Sequence, residues 1–498
     1  MSLHSDEKIS SVEKASQDGQ EVKAESPTTD SRTVIDPEAE RKLIRKLDLR
    51  LLPLFTLVYG ANFIDRTGVG NAKIAGIEKD LGMKGYDYNI ALTVFYILYI
   101  LFDVPSNLML KRYGSKWLAF MVVGFGVTTL GTAFVKNYGQ LVVTRAFLGI
   151  CEAGNLAGLT YVVSRYYRRH ELVLRIGIYF AIATPLAGAF GGLLASGLLK
   201  IGDIGPIKTW RKIFFVEGII TTGIGLASFI ILPTDPENTR MLTEEERALV
   251  LARIEAEQVV KRHGKREATT LSLVWRSLNI NTTLCLIIYS CVNVSFQGLS
   301  LFLPTVIATL GHFSVVEAQL RTVPPFLVAL VWSVFLCWVS FRIKSRSIPT
   351  FVSILFMVMG YAISIGTKNP HARYAACFLS LLGSTPIGPL VLAWTLDNAA
   401  PDTVRAVTSA VVTGFGTSGA VIAVWTYLPT DAPNYHNGNS LNLATACLAL
   451  AVTVVAVVYM RGENAKRERG ERDYRLEGKD RSGLEELGYL HPDFRYIY

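Results

Sequence analysis

The sequence lacks the motifs on which ATP-driven pumps and hydrolytic enzymes depend. It has no GxxxxGK[ST] loop to cradle a nucleotide phosphate and no GxSxG turn to present a serine nucleophile. Its seven histidines are scattered, and none is followed four residues later by another, the spacing with which one helix face can hold zinc. We therefore expect a protein that is not an enzyme and that uses neither a metal nor another cofactor.

Cysteine is scarce, and a secretory signal is missing. All six cysteines fall within apolar stretches: Cys151, Cys285, Cys291, Cys337, Cys377 and Cys447. There they act as small hydrophobic residues, so we predict no disulfide framework. The start of the chain is polar and charged and has no apolar signal core. Because such a segment cannot bury much apolar surface, we predict a disordered tail over residues 1–48.

What the chain does have is apolar residues, which make up half of it. They are gathered into twelve stretches long enough to cross a bilayer as helices. The stretches are 49–71, 89–110, 116–136, 141–165, 174–199, 212–232, 280–308, 320–341, 348–367, 372–396, 405–428 and 440–460. Six precede and six follow a charged segment, 233–279. We predict an all-α membrane protein with two six-helix bundles, 49–232 and 280–460, related by an internal repeat.

Positive charge lies beside these stretches. The net charge is +9, and with twelve spans the short basic turns fall on the same side as the middle segment and the tail 461–498. That side is cytoplasmic by the positive-inside rule. We therefore predict that both termini are cytoplasmic, that the protein lies in a lipid bilayer, and that no nucleic acid is bound.

The middle segment contains a helix start signal. Thr243 followed by Glu246 three residues later forms a capping box. We predict a charged amphipathic helix from there to about Gly264, at the membrane surface or under the bundles. A solvated linker helix explains the same pattern.

The stretch RAFLGICEAGNLAGLTYVVSRYYRR, residues 145–169, places charge inside an apolar span. Arg145 and Glu152 are seven residues apart, two helical turns, and so lie on one helix face. A charge at the bilayer centre costs at least about 2.5–3.5 kcal/mol, so it persists mainly where it is paired or faces a wet cavity. We predict that Glu152 carries a proton and that Arg145 is its partner or an anion ligand. The alternative is a buried ion pair that only fixes helix register.

The first two spans add further polar residues. Asn62, Asp65 and Arg66 lie in the first span, where the two charges are adjacent and must point to different helix faces. We predict Arg66 and Asn62 as substrate ligands and Asp65 as a second proton-coupling residue, unless both charges merely anchor the end of the span. The second span ends in a predicted conformational gate formed by four residues: Asp103, Lys111, Arg112 and Gly114.

Neutral polar residues in later spans complete the candidate site. The predicted substrate contacts are Asn155, Asn293, Gln297, Trp394 and Asn398. An amide within a span can bond a substrate or another helix, and packing is at least as common an explanation as function.

Together these motifs resemble the major facilitator superfamily, and within it the fungal anion:cation symporter branch of allantoate, nicotinate, pantothenate and biotin permeases. The matching pieces include NFIDR (62–66), VPSNLMLKRYGSKW (104–117), RAFLGICEAG (145–154), WRKIFFVEG (210–218), LPTDPENTRMLTEEER (232–247), FLPTVIATLG (302–311) and LRTVPPF (320–326). The resemblance implies alternating access by two bundles, driven by a cation gradient, usually of protons, with a small organic anion as substrate. We also expect a monomer in the plasma membrane.

Residue roles also follow from the resemblance. In related organic-anion carriers, first-helix and fourth-helix arginines hold the substrate and a fourth-helix glutamate couples to protons, which would correspond to Arg66, Arg145 and Glu152. We expect proton-coupled uptake. Two alternatives stay open: a proton antiporter that exports a secondary metabolite, and a nutrient receptor that binds ligand without net flux.

Overall fold

The structure is a computed structural model that describes residues 36–203, 205, 207–233, 235–257, 271–311, 313–478 and 487–498. Within these residues the regular structure is helical. The first half contains α1 (Pro37–Ile74), α2 (Ile77–Asp80), α3 (Asp87–Tyr113), α4 (Ser115–Thr132), α5 (Tyr138–Glu152), α6 (Asn155–Ser164), α7 (Arg169–Lys200) and α8 (Arg211–Ile231). The middle segment contains α9 (Glu244–Glu257) and α10 (Leu271–Arg276).

The second half repeats this pattern of long and broken helices. It contains α11 (Ile280–Ala308), α12 (Val315–Leu320), α13 (Val323–Ile343), α14 (Ser347–Gly366), α15 (Pro370–Ser384), α16 (Ile387–Asp397), α17 (Asp402–Gly416), α18 (Ser418–Ala423) and α19 (His436–Glu468). Short 3-10 turns lie at Pro429–Asp431, Asp473–Arg475 and Gly488–Leu490.

Twelve membrane spans account for these helices. In the described residues, eleven helices or broken helix pairs are long and apolar enough to cross a membrane, judged by length and composition. The twelfth is α4, whose 18 residues pack along α8 and α5 inside the first bundle; at 1.5 Å per residue it is about 27 Å long, close to the hydrocarbon thickness. The predicted all-α fold with twelve spans in two bundles is confirmed. We call the face where α1 begins and α19 ends the terminal side.

The fourth span is broken where the sequence predicts one continuous helix. α5 ends at Glu152, and Gly154 takes a left-handed φ of 77° before α6 starts. A Cβ there would lie 2.8 Å from Oγ of Ser106 on α3, so only glycine fits this close approach. The backbone N–H of Gly154 donates to Oδ1 of Asp103 at 2.9 Å. The break therefore joins the span that carries Glu152 to the span that carries the predicted gate.

The boundary between tail and first bundle lies earlier than residue 48. α1 begins at Pro37, with the Asp36 side chain accepting from the N–H groups of Glu38 and Ala39 as an N-cap. The predicted tail thus divides into 1–35, which lie outside the described residues, and a helical part from Pro37 that extends the first span.

The middle segment packs under the first bundle through ion pairs. Its capping box is confirmed, with Thr243 N–H donating to Glu246 Oε2 at 2.9 Å and Glu246 N–H donating to Thr243 Oγ1 at 3.3 Å. Lys46 on α1 pairs with Glu246 at 2.6 Å, and the buried Arg253 on α9 pairs with Glu40 at 2.8 Å. α9 is described to Glu257, and the rest of the predicted helix, to about Gly264, lies outside the described residues.

The two bundles meet along a few helices. α1 and α7 of the first bundle contact α11, α13 and α16 of the second, and α3 contacts α17 and α18. The space between these helices, near the middle of the spans, positions the candidate site.

Candidate functional site

A central cavity lies between the bundles. It encloses about 480 Å³, counting the part that opens to solvent. The first bundle contributes Tyr59, Arg66 and Tyr99, and the second contributes Tyr289, Asn293, Gln297, Ser384 and Thr385, among others. Among its described lining residues Arg66 is the one charged side chain. The cavity therefore combines aromatic walls and neutral hydrogen-bonding groups with a single positive charge.

Arg66 is paired with Glu152. The guanidinium donates from Nη2 and Nε to Glu152 Oε2 at 2.9 and 3.1 Å. Arg66 is 6% exposed and Glu152 is fully buried, so the pair is shielded from bulk water. The other carboxylate oxygen, Oε1, has no hydrogen-bond partner among the described residues. Both groups were predicted as site residues, but the partner expected for Glu152 was Arg145.

Aromatic rings fix the Arg66 side chain from the other direction. Its Cζ lies 4.9 Å from the ring centre of Tyr99 and 5.4 Å from that of Phe95, within the range of cation–π attraction. Asn62, one turn earlier on α1, offers its Oδ1 to Nη2 at 3.5 Å. The guanidinium is thus oriented by α1, α3 and α5 together.

Arg145 lies away from the cavity lining, inside the first bundle. Its Cζ is 5.2 Å from the ring centre of Phe214 on α8, and the side chain is 2% exposed. Its Nε and Nη2 have no hydrogen-bond partner among the residues the structure describes. The seven-residue spacing correctly placed Arg145 and Glu152 on one face of α5. It could not show that Glu152 forms its ion pair with Arg66 of α1.

The Asp65 side chain, like that of Arg145, points into the interior of the first bundle and not into the cavity. Its Oδ1 accepts from the Thr221 hydroxyl of α8 at 3.2 Å, while Arg66, the next residue, faces the cavity. Glu217 lies one turn before Thr221 and is also buried. It was not among the predicted site residues, although an acidic residue inside the apolar stretch 212–232 is the same signal that identified Glu152.

Two of the predicted amides line the cavity. Gln297 accepts a hydrogen bond from the Tyr96 hydroxyl of the first bundle at 3.2 Å, and Asn293 donates to the carbonyl of Gly416 at 3.3 Å. Asn155 is buried at the start of α6, and neither side-chain amide atom finds a partner within the described part of the chain. Its neighbour Leu156, not Asn155 itself, is among the lining residues.

Trp394 and Asn398, predicted as substrate contacts, are not among the described lining residues of the cavity. The Trp394 indole N–H donates to the Ile497 carbonyl at 2.9 Å. Asn398 bonds the same residue twice, donating to its carbonyl and accepting from its N–H, both at 2.8 Å. These side chains anchor the chain's last residues to the terminal side of the second bundle. A contact a hundred residues distant along the chain leaves no local signal in the sequence.

The four predicted gate residues lie in two places. Asp103 lies between the bundles, and the other three lie at or beyond the end of α3. Asp103 is 2% exposed, and a Cβ added to Gly414 of the second bundle would lie 2.7 Å from its Oδ2. Gly114 takes a φ of 65° between α3 and α4, and Arg112 is exposed, with its Cζ 5.5 Å from the Tyr113 ring centre. The side chain of Lys111 lies outside the described residues.

The tyrosines of the cavity were missed by the sequence analysis. Tyr59 lies seven residues before Arg66 on α1, so the same two-turn rule that was applied to Arg145 and Glu152 predicts a shared face. Tyr99 and Tyr289 carry no comparable signal, because an aromatic residue in a span is more often packing than ligand.

The arrangement can hold an anion and a proton. A guanidinium at a cavity wall binds a carboxylate through paired hydrogen bonds, and a buried carboxylate beside it accepts a proton when its cationic partner is engaged elsewhere.

Comparison with known proteins identifies the family. The Major Facilitator Superfamily model matches residues 55–424. The high-affinity nicotinic acid transporter of Saccharomyces cerevisiae is 31% identical over 476 residues, covering 95% of this chain and 88% of that protein. The MFS-type transporter efuF of Hormonema carpetanum is 31% identical over 479 residues, covering 94% and 92%.

Solved structures share the fold. The proton:xylose symporter XylE superposes with a TM-score of 0.64 at 17% identity, covering 85% of this chain and 96% of that one. A bacterial homologue of the lysosomal transporter Spinster, inward-facing and occupied, gives 0.59 at 16% identity, covering 82% and 96%. With the family model matched over most of the sequence, the chain belongs to the Major Facilitator Superfamily, whose members are membrane transporters and not enzymes.

Proposed function

We propose that this transporter takes up a small organic anion together with a proton. The observation that carries the proposal is the Arg66–Glu152 pair: the cavity's one described charged lining residue is held by a buried carboxylate. In the empty transporter each group neutralises the other, so neither is an unpaired charge inside the membrane.

Coupling follows from competition for Arg66. A substrate carboxylate can take the guanidinium only if Glu152 releases it, and Glu152 can release it at low cost only by becoming neutral. Proton binding to Glu152 therefore strengthens anion binding, and anion binding strengthens proton binding by the same factor. A proton alone leaves Arg66 without a counterion, and an anion alone adds a second negative charge beside Glu152. Either state buries a net charge, which disfavours the change between outward-facing and inward-facing conformations.

The substrate class is a monocarboxylate with a flat or polar body. The name of the yeast relative points to nicotinic acid. Tyr59, Tyr99 and Tyr289 offer aromatic faces, and Asn293 and Gln297 offer amides to polar atoms of such a body. Arg145, the second predicted anion ligand, is buried behind the site and is not among the described lining residues of the cavity.

Alternating access and orientation belong to the same proposal. The contact between Asp103 and Gly414 is the candidate gate on the terminal side. We propose that the transporter is a monomer in the plasma membrane and that the terminal side is cytoplasmic. The arginines there, among them Arg165, Arg168 and Arg346, follow the positive-inside rule.

Uptake by cells that express the protein tests this proposal. Radiolabelled nicotinic acid and a panel of vitamins, ureides, dipeptides and monocarboxylates are supplied at about pH 5 and about pH 7.5. We expect accumulation of one anion, greater at acid pH. Glu152→Gln, which mimics the protonated acid, should retain exchange of internal for external substrate but lose accumulation driven by the pH gradient.

The controls separate the alternatives. Glu245→Gln removes an exposed carboxylate of α9 and should leave uptake unchanged. If Glu152→Gln still accumulates substrate in response to a pH gradient, Glu152 is not the coupling residue. Faster loss of a preloaded compound, with no uptake of any panel member, would instead indicate an exporter.

A further inference from the structure

The first bundle buries one cluster with an odd number of charges. Five ionisable side chains face one another there: Asp65, Arg66, Arg145, Glu152 and Glu217. None is more than 6% exposed. Two are guanidinium groups and three are carboxyl groups, so full ionisation would leave one negative charge without a counterion. An uncompensated charge at such a depth is strongly disfavoured, and the group takes up a proton instead.

Hydrogen bonds distinguish the three carboxyl groups. Glu152 accepts two bonds from Arg66, and Asp65 accepts one from Thr221. Both contacts stabilise the ionised form. For Glu217, neither oxygen has a hydrogen-bond partner in the described part of the chain, although the side chain is 1% exposed.

Among the residues that the structure describes, the one cation that Glu217 faces is shared with other carboxyl groups. From α1 it faces Asp65 and the backbone at Gly68, where an added Cβ would lie 2.4 Å from Oε2. From α5 it faces Arg145, which Asp65 and Glu152 also face. From α4, Leu130 lies against Gly218 and Val123 lies against Gly225, while Thr129 contacts Asp65.

We infer that Glu217 is a resident neutral acid, which keeps one proton inside the first bundle throughout the transport cycle. Asp65 then balances Arg145, and Glu152 alone exchanges its proton with the cavity. The inference rests on the proposed function in one respect. Because Glu152 is then the one residue of the cluster that exchanges a proton, proton-coupled uptake would carry one proton for each anion. Asp65, which the sequence analysis predicted as a proton-coupling residue, instead neutralises the charge of Arg145.

A measurement without substrate tests the protonation state. The purified protein is unfolded thermally between about pH 5 and about pH 8, and the pH dependence of the melting temperature is compared among variants. An acid that is neutral in the folded protein and ionised in the unfolded chain releases a proton on unfolding in this range, so it makes the wild type less stable as the pH rises. Glu217→Gln removes this proton release, so its melting temperature should fall less between low and high pH than that of the wild type. Glu245→Gln, which removes an exposed carboxylate of α9, is the control and should show the wild-type pH dependence. A Glu217→Gln protein with the wild-type pH dependence would overturn the inference, because Glu217 would then be ionised in the folded protein.

Transport in proteoliposomes tests the coupling ratio. With labelled nicotinic acid as the probe, Glu217→Gln should accumulate it in response to a pH gradient within about twofold of the wild type, and an imposed membrane potential should have no effect on either. Loss of gradient-driven accumulation with retained exchange would show that Glu217 carries a mobile proton. Glu217→Met, neutral and similar in length, replaces the glutamine variant if that protein accumulates poorly. Should the wild type transport no panel anion, the proposed uptake fails, while the unfolding measurement still decides the state of Glu217.

Discussion

Arg66 lies between two aromatic rings of α3 and one carboxylate of α5. Each neighbour has a different effect: the rings of Phe95 and Tyr99 hold the guanidinium plane, and Glu152 neutralises its charge. A planar group with several fixed donors suits this position, because it can exchange one carboxylate for another without changing its orientation.

Replacing Arg66 with lysine tests this geometry. Lysine keeps the charge but loses the planar donor fork and the stacking on Tyr99. Since a hydrogen bond to a charged group is worth about 1.5–3 kcal/mol, we expect the apparent affinity for nicotinic acid to fall by about tenfold to a hundredfold. Concentration-dependent uptake measures this, with surface expression as the control. An unchanged affinity would mean that Arg66 contributes only charge.

The sequence predicts which charged residues are buried better than it predicts their partners. Arg66, Arg145 and Glu152 were identified because burying a charge is costly, and that rule needs no structure. The pairing of Arg66 with Glu152 depends on how α1 packs against α5, and the break at Gly154 depends on α3. Neither is encoded locally, and the same holds for the anchoring of Ile497 by Trp394 and Asn398.

At the scale of elements, α9 is fastened to α1 by charge. Glu246 closes its own capping box and also binds Lys46. The pKa of the Glu246 carboxyl is lowered, chiefly by its hydrogen bond with the Lys46 ammonium. A lowered pKa in the folded state means that the contact stabilises the fold above the ordinary glutamate pKa.

This contact predicts an acid-sensitive attachment of the middle segment. Its stabilisation should be complete above the usual glutamate pKa of about 4.3 and be lost as the pH falls through the lowered value. The protection of the α9 amides against hydrogen exchange, relative to the intrinsic exchange rate at the same pH, should therefore fall below about pH 4, and Glu246→Gln should show reduced protection already at neutral pH. Glu245→Gln, in the same turn, serves as the matched control. Equal exchange in both variants would contradict a role for the Lys46 contact.

Within the described residues, the positions of the helices were predictable from the sequence, whereas the breaks within them were not. Apolar stretches of sufficient length identify spans, and the Thr243–Glu246 capping box identifies the start of α9. The early start of α1 was missed because its first turns are polar. They are helical through the Asp36 cap and through ion pairs with α7 and α9, which join segments distant along the chain.

At the scale of the whole molecule, the bundles approach closely on both sides of the cavity. On the terminal side Asp103 lies against Gly414. On the opposite side Gly70 of α1 lies against the Leu301 carbonyl of α11, where an added Cβ would be 2.2 Å from the oxygen. Both contacts depend on glycine, so each can be blocked with one methyl group.

Gly70→Ala should hinder closure of the opposite side. Overpacking of a close contact costs about 1–3 kcal/mol, so we expect transport to slow by roughly fivefold to 150-fold while binding of nicotinic acid from the opposite side persists. Gly223→Ala on α8, where an added Cβ meets nothing within 4 Å, is the matched control. Wild-type turnover in Gly70→Ala would show that this contact does not form during the cycle.

The most direct test of proton and anion coupling at the Arg66–Glu152 pair is the affinity of the purified transporter for nicotinic acid as a function of pH. If a proton on Glu152 frees Arg66 for the anion, the dissociation constant of the wild type should decrease as the pH falls from about 8 to about 5.5, by up to about tenfold per pH unit. In Glu152→Gln the affinity should be independent of pH. An affinity that does not change with pH in the wild type, or that changes equally in both proteins, would contradict the coupling of anion and proton at this pair.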